Sequence, residues 1–162
     1  FAPDSALRLV SDTRNLVVVR TYSKIWSMAA FRLGFCVGPS WLAADLAKVV
    51  LPYHLSVPTQ VAGTVALRFA DEMRARVAAI VAERERLSGA LSQLDVDVWP
   101  SGANFILFRP RRVRGVWDGL LERDVLVRDF SHLRGLEGCL RVTVGTAAEN
   151  DVFLTALKEV LA

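Results

Sequence analysis

A lysine and an arginine eight positions apart are the residues whose types and spacing best suit chemistry. Lys24 follows the apolar run 16–19, which predicts a strand buried on both faces that ends in a loop at the lysine. A buried or half-buried amine loses its proton readily, and a neutral amine can add to an aldehyde to form a Schiff base. Arg32 could bind a phosphate through paired hydrogen bonds, and its charge would help to keep the amine of Lys24 neutral.

Two hydroxyl groups on either side of Tyr22 add to this donor set. Thr21 and Ser23 could donate hydrogen bonds to the same phosphate oxygens as Arg32. A lysine at a strand end is by itself more often a solvated surface residue than a catalyst. The prediction of a reactive amine beside a phosphate site therefore depends on all four residues together.

The stretch Arg20–Phe35, with the sequence RTYSKIWSMAAFRLGF, resembles the lysine loop of fold type I aminotransferases. Members of that family carry Ser-Lys followed eight residues later by Arg. The resemblance implies that Lys24 is the catalytic residue and bonds pyridoxal phosphate, and that Ser23, Arg32 and Thr21 bind the phosphate of this cofactor. It also implies a homodimer with cofactor sites at its interface.

The loop departs from the family at several positions. The family usually continues Ser-Lys with Ala-Phe and has Ala-Gly before the Leu-Arg, whereas this chain has Ile25-Trp26, Met28-Ala29-Ala30 and Phe31. These side chains bring bulk close to the loop. We expect them to affect the choice of amino acceptor more than the bond to the cofactor.

A second candidate site contains two arginines. Arg141 interrupts an apolar strand, where a charge is costly to bury unless an anion meets it, although strand alternation could also place it on an exposed face. The run Val127–Thr146, VRDFSHLRGLEGCLRVTVGT, is similar to the histidinol-phosphate aminotransferase branch of the family. That similarity implies that Arg141 binds the substrate carboxylate and that Arg128, thirteen residues earlier, lies near the substrate phosphate.

Tyr53, in the sequence LPYHLS, also resembles that branch, in which a tyrosine at this point contributes to the substrate pocket. Packing in the core is the alternative for this side chain. Asn104 fits the family pattern too, but an asparagine between a turn and a strand is explained locally.

The resemblance implies an amino transfer between L-histidinol phosphate and 2-oxoglutarate. Three alternatives remain: a lyase similar to threonine-phosphate decarboxylase, an aminotransferase-like ligand-sensing module of a transcription regulator, and a structural fragment without activity. In the family, the groups that tune the cofactor precede the position of Phe1, so we expect the isolated chain to be inactive. The missing initiator methionine suggests a piece of a longer chain.

Composition narrows the class of partner. The 162 residues carry a formal net charge of +3 spread along the chain and are 52% hydrophobic, which suits a soluble folded domain and anionic small substrates better than duplex nucleic acid. The resemblance implies that these are small amino-acid or phosphate substrates. Arg109, Arg111, Arg112 and Arg114 are interpreted as a solvated turn. No apolar run has the length of a membrane span, and no signal peptide is recognisable, so a cytoplasmic location is expected.

The cysteines and histidines suggest no metal. Cys36 and Cys139 lie far apart in apolar runs, which predicts buried free thiols and no disulfide. His54 and His132 have no cluster of ligating residues around them and no nucleophile pattern, which argues against zinc and against a hydrolytic triad.

The elements that must position these residues predict an α/β fold, and the resemblance implies that it is the C-terminal portion of a fold type I pyridoxal-phosphate-dependent transferase. We expect residues 1–58 to end the large domain, 59–94 to form linking helices and 95–162 to form a small α/β domain. Strands are predicted at 16–20, 33–37, 96–99, 104–108, 125–128 and 139–144, and helices at 41–50 (capped by Ser40), 59–69 and 113–124, with a last helix opening at Thr146 in a capping box with Glu149. A long amphipathic helix carries the apolar stripe Met73, Val77, Ile80, Leu87, Leu91 and Leu94, in which Arg84 occupies the one missing place.

Overall fold

The computed structural model describes residues 1, 4–12, 14–111 and 115–162. The chain divides into two units, residues 2–76 and residues 77–162 together with Phe1. The division falls inside a helix that spans Ala70–Leu91. Within the described ranges, no helix combines the length and the apolar character that crossing a membrane requires.

The first unit contains a pair of antiparallel strands that frames the lysine loop. These strands are β1 (Val18–Thr21) and β2 (Gly34–Val37). Their register sets the last residue of β1 opposite the first residue of β2. Residues 22–33 therefore form one loop whose two ends are held side by side. Both strands fall where the sequence predicts them.

Two predictions of burial in this unit are wrong. Val18 is buried, but Val19 on the same strand is 71% exposed, so β1 is not covered on both faces. Cys36 on β2 is also exposed, whereas Cys139 in the second unit is buried as predicted. The reason is that β1 and β2 pair only with each other among the described residues, which leaves one face of this small sheet uncovered.

Helix α1 (Ser40–Val49) follows β2 and receives its cap from a distant residue. The backbone N–H and the hydroxyl of Ser40 donate to Asp12 Oδ1 at 2.8 and 3.0 Å. The prediction that Ser40 is itself the cap is wrong, because the N-cap position is Pro39, which has no side-chain acceptor. The amide of Ser40, followed by its hydroxyl, holds the pKa of Asp12 below its usual range.

Helix α2 (Val57–Ala66) begins two residues before its predicted start. Ser56 caps it, its hydroxyl accepting from the backbone N–H of Thr59 at 3.3 Å. Pro58 lies in the first turn, where a missing backbone donor costs nothing. A 3-10 turn at Leu67–Phe69 then leads into α3 (Ala70–Leu91).

The second unit is a four-stranded antiparallel sheet with helices on one face. Its strands are β3 (Val96–Val98), β4 (Phe105–Pro110), β5 (Arg128–Asp129) and β6 (Leu140–Thr143), in the spatial order β3-β4-β6-β5. Helices α4 (Val116–Leu121) and α5 (Ala147–Leu161) complete it. The predicted order of strands and helices is confirmed, although β5 is shorter and later than predicted. The predicted start of α4 at Val113 lies outside the described residues.

Alternation along the strands separates a core face from an open face. Ile106 and Phe108 of β4, with Leu140 and Val142 of β6, are buried against the helices. Their neighbours along each strand point the other way and are partly or fully exposed. The core also contains Leu87, Leu91, Val96, Val116, Leu120, Val127, Val144, Phe153, Leu154, Ala156 and Leu157.

Helix α5 opens with the predicted capping box. The hydroxyl of Thr146 accepts from the backbone N–H of Glu149 at 3.3 Å, and the Glu149 carboxylate accepts from the backbone N–H of Thr146 at 2.7 Å. The helix buries Phe153, Leu154, Ala156 and Leu157, whereas Val152 is exposed.

Candidate functional site

Lys24 lies in a tight loop between β1 and β2 whose backbone is fixed by its own hydrogen bonds. The backbone N–H of Ser27 donates to the Lys24 carbonyl at 3.0 Å, and that of Met28 donates to the Tyr22 carbonyl at 3.2 Å. Met28 is buried and anchors the loop. The side chain of Lys24 is exposed, so the prediction of a buried or half-buried amine is wrong for this chain, because the two-stranded sheet that carries the loop has little to cover it.

The predicted phosphate-binding groups all belong to this loop or its first strand. Thr21 Oγ1 lies 2.8 Å from Ser23 Oγ and accepts from the Ser23 backbone N–H at 3.0 Å. Arg32 donates one hydrogen bond, from Nη1 to the Ala29 carbonyl at 2.9 Å, and is exposed. Since a guanidinium has five N–H donors, most of them stay available. Two hydroxyls and a guanidinium, in the loop and at the end of the strand before it, make a donor set that suits a phosphate.

The loop is also strained, and the first turns of α3 hold it. Ser27 has φ = +56°, in the left-handed region that costs a residue other than glycine roughly 1–2 kcal/mol. Arg76 Nη1 donates to Ser27 Oγ at 2.7 Å. Arg32 at φ = +52° is strained in the same way. Such backbone strain concentrates at functional sites, because it persists only where surrounding contacts impose it.

The bulky residues by which the loop departs from the family pattern pack in one place. Trp26 stacks on Tyr22 with ring centroids 5.7 Å apart. A groove of about 340 Å³ separates the loop from α2 and α3. Its lining includes Ile25, Trp26, Met28, Phe31, Val65 and Met73.

The two predicted substrate arginines meet on the open face of the second unit's sheet. Arg128 of β5 pairs directly with Arg141 of β6 across the antiparallel ladder. Like charges directly opposite each other destabilise a strand pair. No hydrogen bond or ion pair joins either guanidinium to another side chain or backbone group in the part of the chain that is described. Two positive charges thus lie opposite each other, and no carboxylate of the described residues is paired with either of them.

Arg141 is half-buried between two aromatic rings. Its Cζ lies 5.0 Å from the ring centroid of Phe105 and 5.4 Å from that of Phe130. Its Nε is buried and has no hydrogen-bond partner. Of the two interpretations that the sequence allows, the structure places Arg141 on the open face, yet with part of its guanidinium desolvated. Cation–π contacts with both rings favour this position.

The arginine pair opens into a cleft of about 490 Å³. The cleft is lined by Trp117, Leu126, Val127, Arg128, Asp129, His132, Arg141 and Thr143. Asp129 is the one carboxylate among these, and it accepts hydrogen bonds from the hydroxyl of Ser131 and, at 2.7 Å, from the Ser131 backbone N–H. These bonds, hydroxyl first, hold the pKa of Asp129 below its usual range. The carboxylate is thus engaged with Ser131, and the arginines stay available.

Tyr53 is 99% exposed and adopts φ = +58° in the turn before α2. The alternative that it packs in the core is therefore wrong. Its neighbour His54 donates its backbone N–H to the Leu51 carbonyl at 3.3 Å, which closes the turn. Among the described residues, no group of His, Cys, Asp and Glu side chains could hold a metal ion.

One residue that the sequence analysis did not assign to a site is Arg84 of α3. It is only 7% exposed, and its Nη1 donates to the carbonyl of Ala103 at 3.1 Å. The signal was present in the sequence, since an arginine in the one missing place of an apolar stripe must be buried or break the stripe.

Comparison with known proteins gives a family match along the chain. The profile of the family described as "Aminotransferase class I and II" matches residues 1–157. A histidinol-phosphate aminotransferase of Mycolicibacterium smegmatis is 46% identical over 94% of this chain and 40% of its own length. One from Roseiflexus castenholzii is 40% identical over 99% of this chain and 44% of its own length. The chain thus spans less than half the length of these curated relatives.

Solved structures show the same architecture. Histidinol-phosphate aminotransferase from Sinorhizobium meliloti, solved in complex with pyridoxal-5'-phosphate, has a TM-score of 0.83 at 23% identity and covers 96% of this chain and 43% of its own. L-threonine-O-3-phosphate decarboxylase from Porphyromonas gingivalis has a TM-score of 0.81 at 25% identity, over 98% of this chain and 51% of its own. These likenesses confirm the predicted α/β fold.

Proposed function

Because this chain belongs to the class I and II aminotransferase family, we propose that it is part of a pyridoxal-phosphate-dependent aminotransferase most like histidinol-phosphate aminotransferase. The reaction moves the amino group of L-histidinol phosphate to 2-oxoglutarate, giving imidazole-acetol phosphate and L-glutamate. The observation that carries this proposal is the lysine loop 22–33 with the end of β1, a short segment held by the pairing of β1 and β2 that contains Lys24, the hydroxyls of Thr21 and Ser23, and Arg32.

The donor set of the loop fits the cofactor. Thr21, Ser23 and Arg32 would hold its phosphate through hydroxyl and guanidinium donors, and Lys24 would hold its aldehyde carbon. When bound, pyridoxal phosphate supplies the electron sink for chemistry at the substrate α-carbon. The bond of Arg76 to Ser27 supports this assignment, because it fixes the backbone that carries Lys24.

The chain's own residues have two further roles in the proposal. Lys24, as a free amine, would carry a proton on Nζ between the substrate α-carbon and the cofactor carbon that bears the aldehyde. Arg141 binds the α-carboxylate through its planar fork, and Arg128 binds the substrate phosphate. Tyr53 contributes its ring to the substrate pocket. The partnerless guanidinium pair and the open cleft beside it support the two arginine assignments.

We also propose a homodimer located in the cytoplasm. The turn around Tyr53 supports the dimer, because Val49, Leu51 and Val57 are each more than 70% exposed there, and a patch of exposed apolar side chains marks an interaction surface. The two free thiols support a reducing compartment. Residues 1–58, 59–94 and 95–162 are proposed as the end of the large domain, the linking helices and the small domain.

Covalent labelling tests the assignment of Lys24. Pyridoxal phosphate and borohydride together attach a stable phosphopyridoxyl group to reactive lysine amines, and the chain has just three lysines: Lys24, Lys48 and Lys158. We expect the label on Lys24 well before the other two, because in the proposal its amine lies next to the groups that bind the cofactor phosphate. Arg32→Gln should slow labelling of Lys24 and leave that of Lys48 unchanged. Equal labelling of all three lysines would contradict the proposal.

A second candidate is a lyase that releases carbon dioxide from threonine phosphate. The likeness to the decarboxylase from Porphyromonas gingivalis favours it, as does a cleft with one guanidinium for a carboxylate and one for a phosphate. The whole protein that carries this chain distinguishes the two. Release of carbon dioxide from threonine phosphate without glutamate formation from 2-oxoglutarate and histidinol phosphate would favour the lyase.

A further inference from the structure

Arg84 is a buried cation that the apolar core of the second unit does not require. It lies on the core stripe of α3 in line with Leu87 and Leu91, both fully buried. Its ion-pair partner, Glu85, is two-thirds exposed, with Oε1 at 2.9 Å from Nη2. Burying an arginine is costly, and replacing a buried ion pair by apolar side chains is often neutral or stabilising. The arginine is therefore not explained by the stability of the core.

Arg84 also donates a hydrogen bond to the loop before β4. Nη1 donates to the carbonyl of Ala103 at 3.1 Å. In the same loop, Ser101 Oγ accepts from the backbone N–H of Ala103 at 3.1 Å and donates to the carbonyl of Phe105 at 2.5 Å. Arg84 and Ser101 thus fix the backbone on both sides of Asn104 and determine where β4 begins.

The first residue of β4 supplies one of the two aromatic rings that contact Arg141. Phe105 pairs with Thr143, so its ring lies diagonally across the ladder from Arg141 on the open face. The guanidinium carbon is 5.0 Å from that ring, and Phe130 contacts it from the other side. Arg141 Nε has no hydrogen-bond partner. The orientation of the guanidinium is therefore determined by the two rings and not by a hydrogen-bond acceptor.

We infer that Arg84 and Ser101 are positioning residues for the anion-binding fork of Arg141, and that they act through the ring of Phe105. The inference rests on the proposed function in that Arg141 binds the substrate carboxylate. It extends that function by stating that Arg84 on α3 and the hydroxyl of Ser101 in the loop before β4 orient the guanidinium of Arg141. All of these residues belong to the second unit.

Nuclear magnetic resonance of the chain tests the inference without a cofactor. The Nε–H resonance of Arg141 is assigned as the one lost in Arg141→Lys. In the unchanged chain, burial between two ring faces should shift it upfield and slow its exchange with solvent. In Arg84→Met and in Ser101→Ala we expect a downfield shift and exchange about tenfold faster. The dissociation constant for glutarate, a dicarboxylate probe for the cleft, should rise about tenfold, since a hydrogen bond to a charged group is weakened.

Two controls separate positioning from a general loss of structure. Ser92→Ala removes a hydroxyl that lines the same cavity as Arg84 and Ser101 but donates to the Ser88 carbonyl at 2.9 Å and not to the loop, and it should leave the Arg141 resonance unchanged. The indole N–H of Trp117, which donates to the Val127 carbonyl at 2.9 Å on the same cleft, should keep its position in every variant. Arg84→Met should retain the thermal midpoint of the unchanged chain. If Arg84→Met lowers the thermal midpoint, Ser101→Ala is the variant on which the test depends.

The experiment can contradict the inference and the proposed function independently of each other. An Arg141 resonance that is the same in both variants as in the unchanged chain overturns the inference. A resonance that moves as expected supports it even if glutarate does not bind, and in that case the proposed carboxylate role of Arg141 fails. Movement of the Trp117 resonance together with that of Arg141 would mean that the whole cleft has changed, and this also overturns the inference.

Discussion

Several residues of this protein lower the stability of the folded chain at the positions they occupy. Arg128 and Arg141 face each other across two strands, where opposite charges would be more stable. Ser27 and Tyr53 hold left-handed backbone that glycine would adopt without strain. Each of these residues belongs to one of the predicted sites or contacts it. Costs of this kind persist where function selects for them.

Replacing Arg128 by Gln should separate stability from anion binding. Removal of the like charge opposite Arg141 should raise the free energy of unfolding by a few tenths of a kcal/mol, because the repulsion across the ladder is lost. The same change should weaken the binding of inorganic phosphate to the cleft. Urea unfolding and a phosphate titration measure the two effects.

Arg134→Gln is the matched control, since it removes the same charge from an exposed position outside the cleft lining. It should change neither quantity appreciably. A lower stability for Arg128→Gln would show that the two guanidinium groups do not repel each other in the folded chain.

At the scale of elements, the close approach of β1 and β2 holds the lysine loop together. A Cβ atom on Gly34 would lie 2.8 Å from the backbone oxygen of Arg20, so no side chain fits there unless the strands move apart. The loop between them is then anchored from one side by buried Met28 and from the other by Arg76. The geometry of the loop thus depends on a strand pair and a helix start, and not on the loop sequence alone.

Gly34→Ala should therefore destabilise the first unit by about 1–3 kcal/mol, because the clash is with backbone and the strands must shift. Hydrogen exchange of the β1 and β2 amides measures the effect, and labelling of Lys24 by pyridoxal phosphate should slow in parallel. Gly89→Ala provides the contrast. Its Cβ would meet no atom within 4 Å at an exposed position of α3, so the change should stabilise that helix by about 1 kcal/mol. Unchanged exchange in Gly34→Ala would show that the strand pair tolerates a side chain.

At the scale of the whole molecule, burial is distributed unequally between the two units. The continuous hydrophobic core is made entirely by residues of the second unit, from α3 to α5. The first unit buries few side chains and exposes many apolar ones. The chain also spans less than half the length of its curated relatives, and its membership of the aminotransferase family rests on the match over residues 1–157.

The piece 77–162 should therefore fold by itself. Its core residues contact one another and do not need the first 76 residues, so the amides of Ile106, Phe108 and Leu157 should keep their protection from hydrogen exchange. The comparison is with the same amides in the intact chain. Loss of protection at all three positions would mean that the second unit depends on the rest of the chain for its stability.

The sequence by itself determined the features that depend on local chemistry. The order of strands and helices in the second unit follows from side-chain periodicity, and the start of α5 follows from its capping box. The grouping of Lys24 and Arg32 in one loop follows from their spacing between two strands. Family membership was likewise visible in short motifs, because those motifs carry the donor groups that the chemistry needs.

Only the tertiary structure decided which residues are covered and which ones meet. The register of β5 on β6 sets Arg128 opposite Arg141, and no local pattern fixes a register between strands so far apart in sequence. The burial of Arg84 and the exposure of Val19 and Cys36 depend on what packs against each element. Spacing therefore predicted which charged residues lie in the lysine loop, and long-range packing determined which of the charged residues are buried or paired.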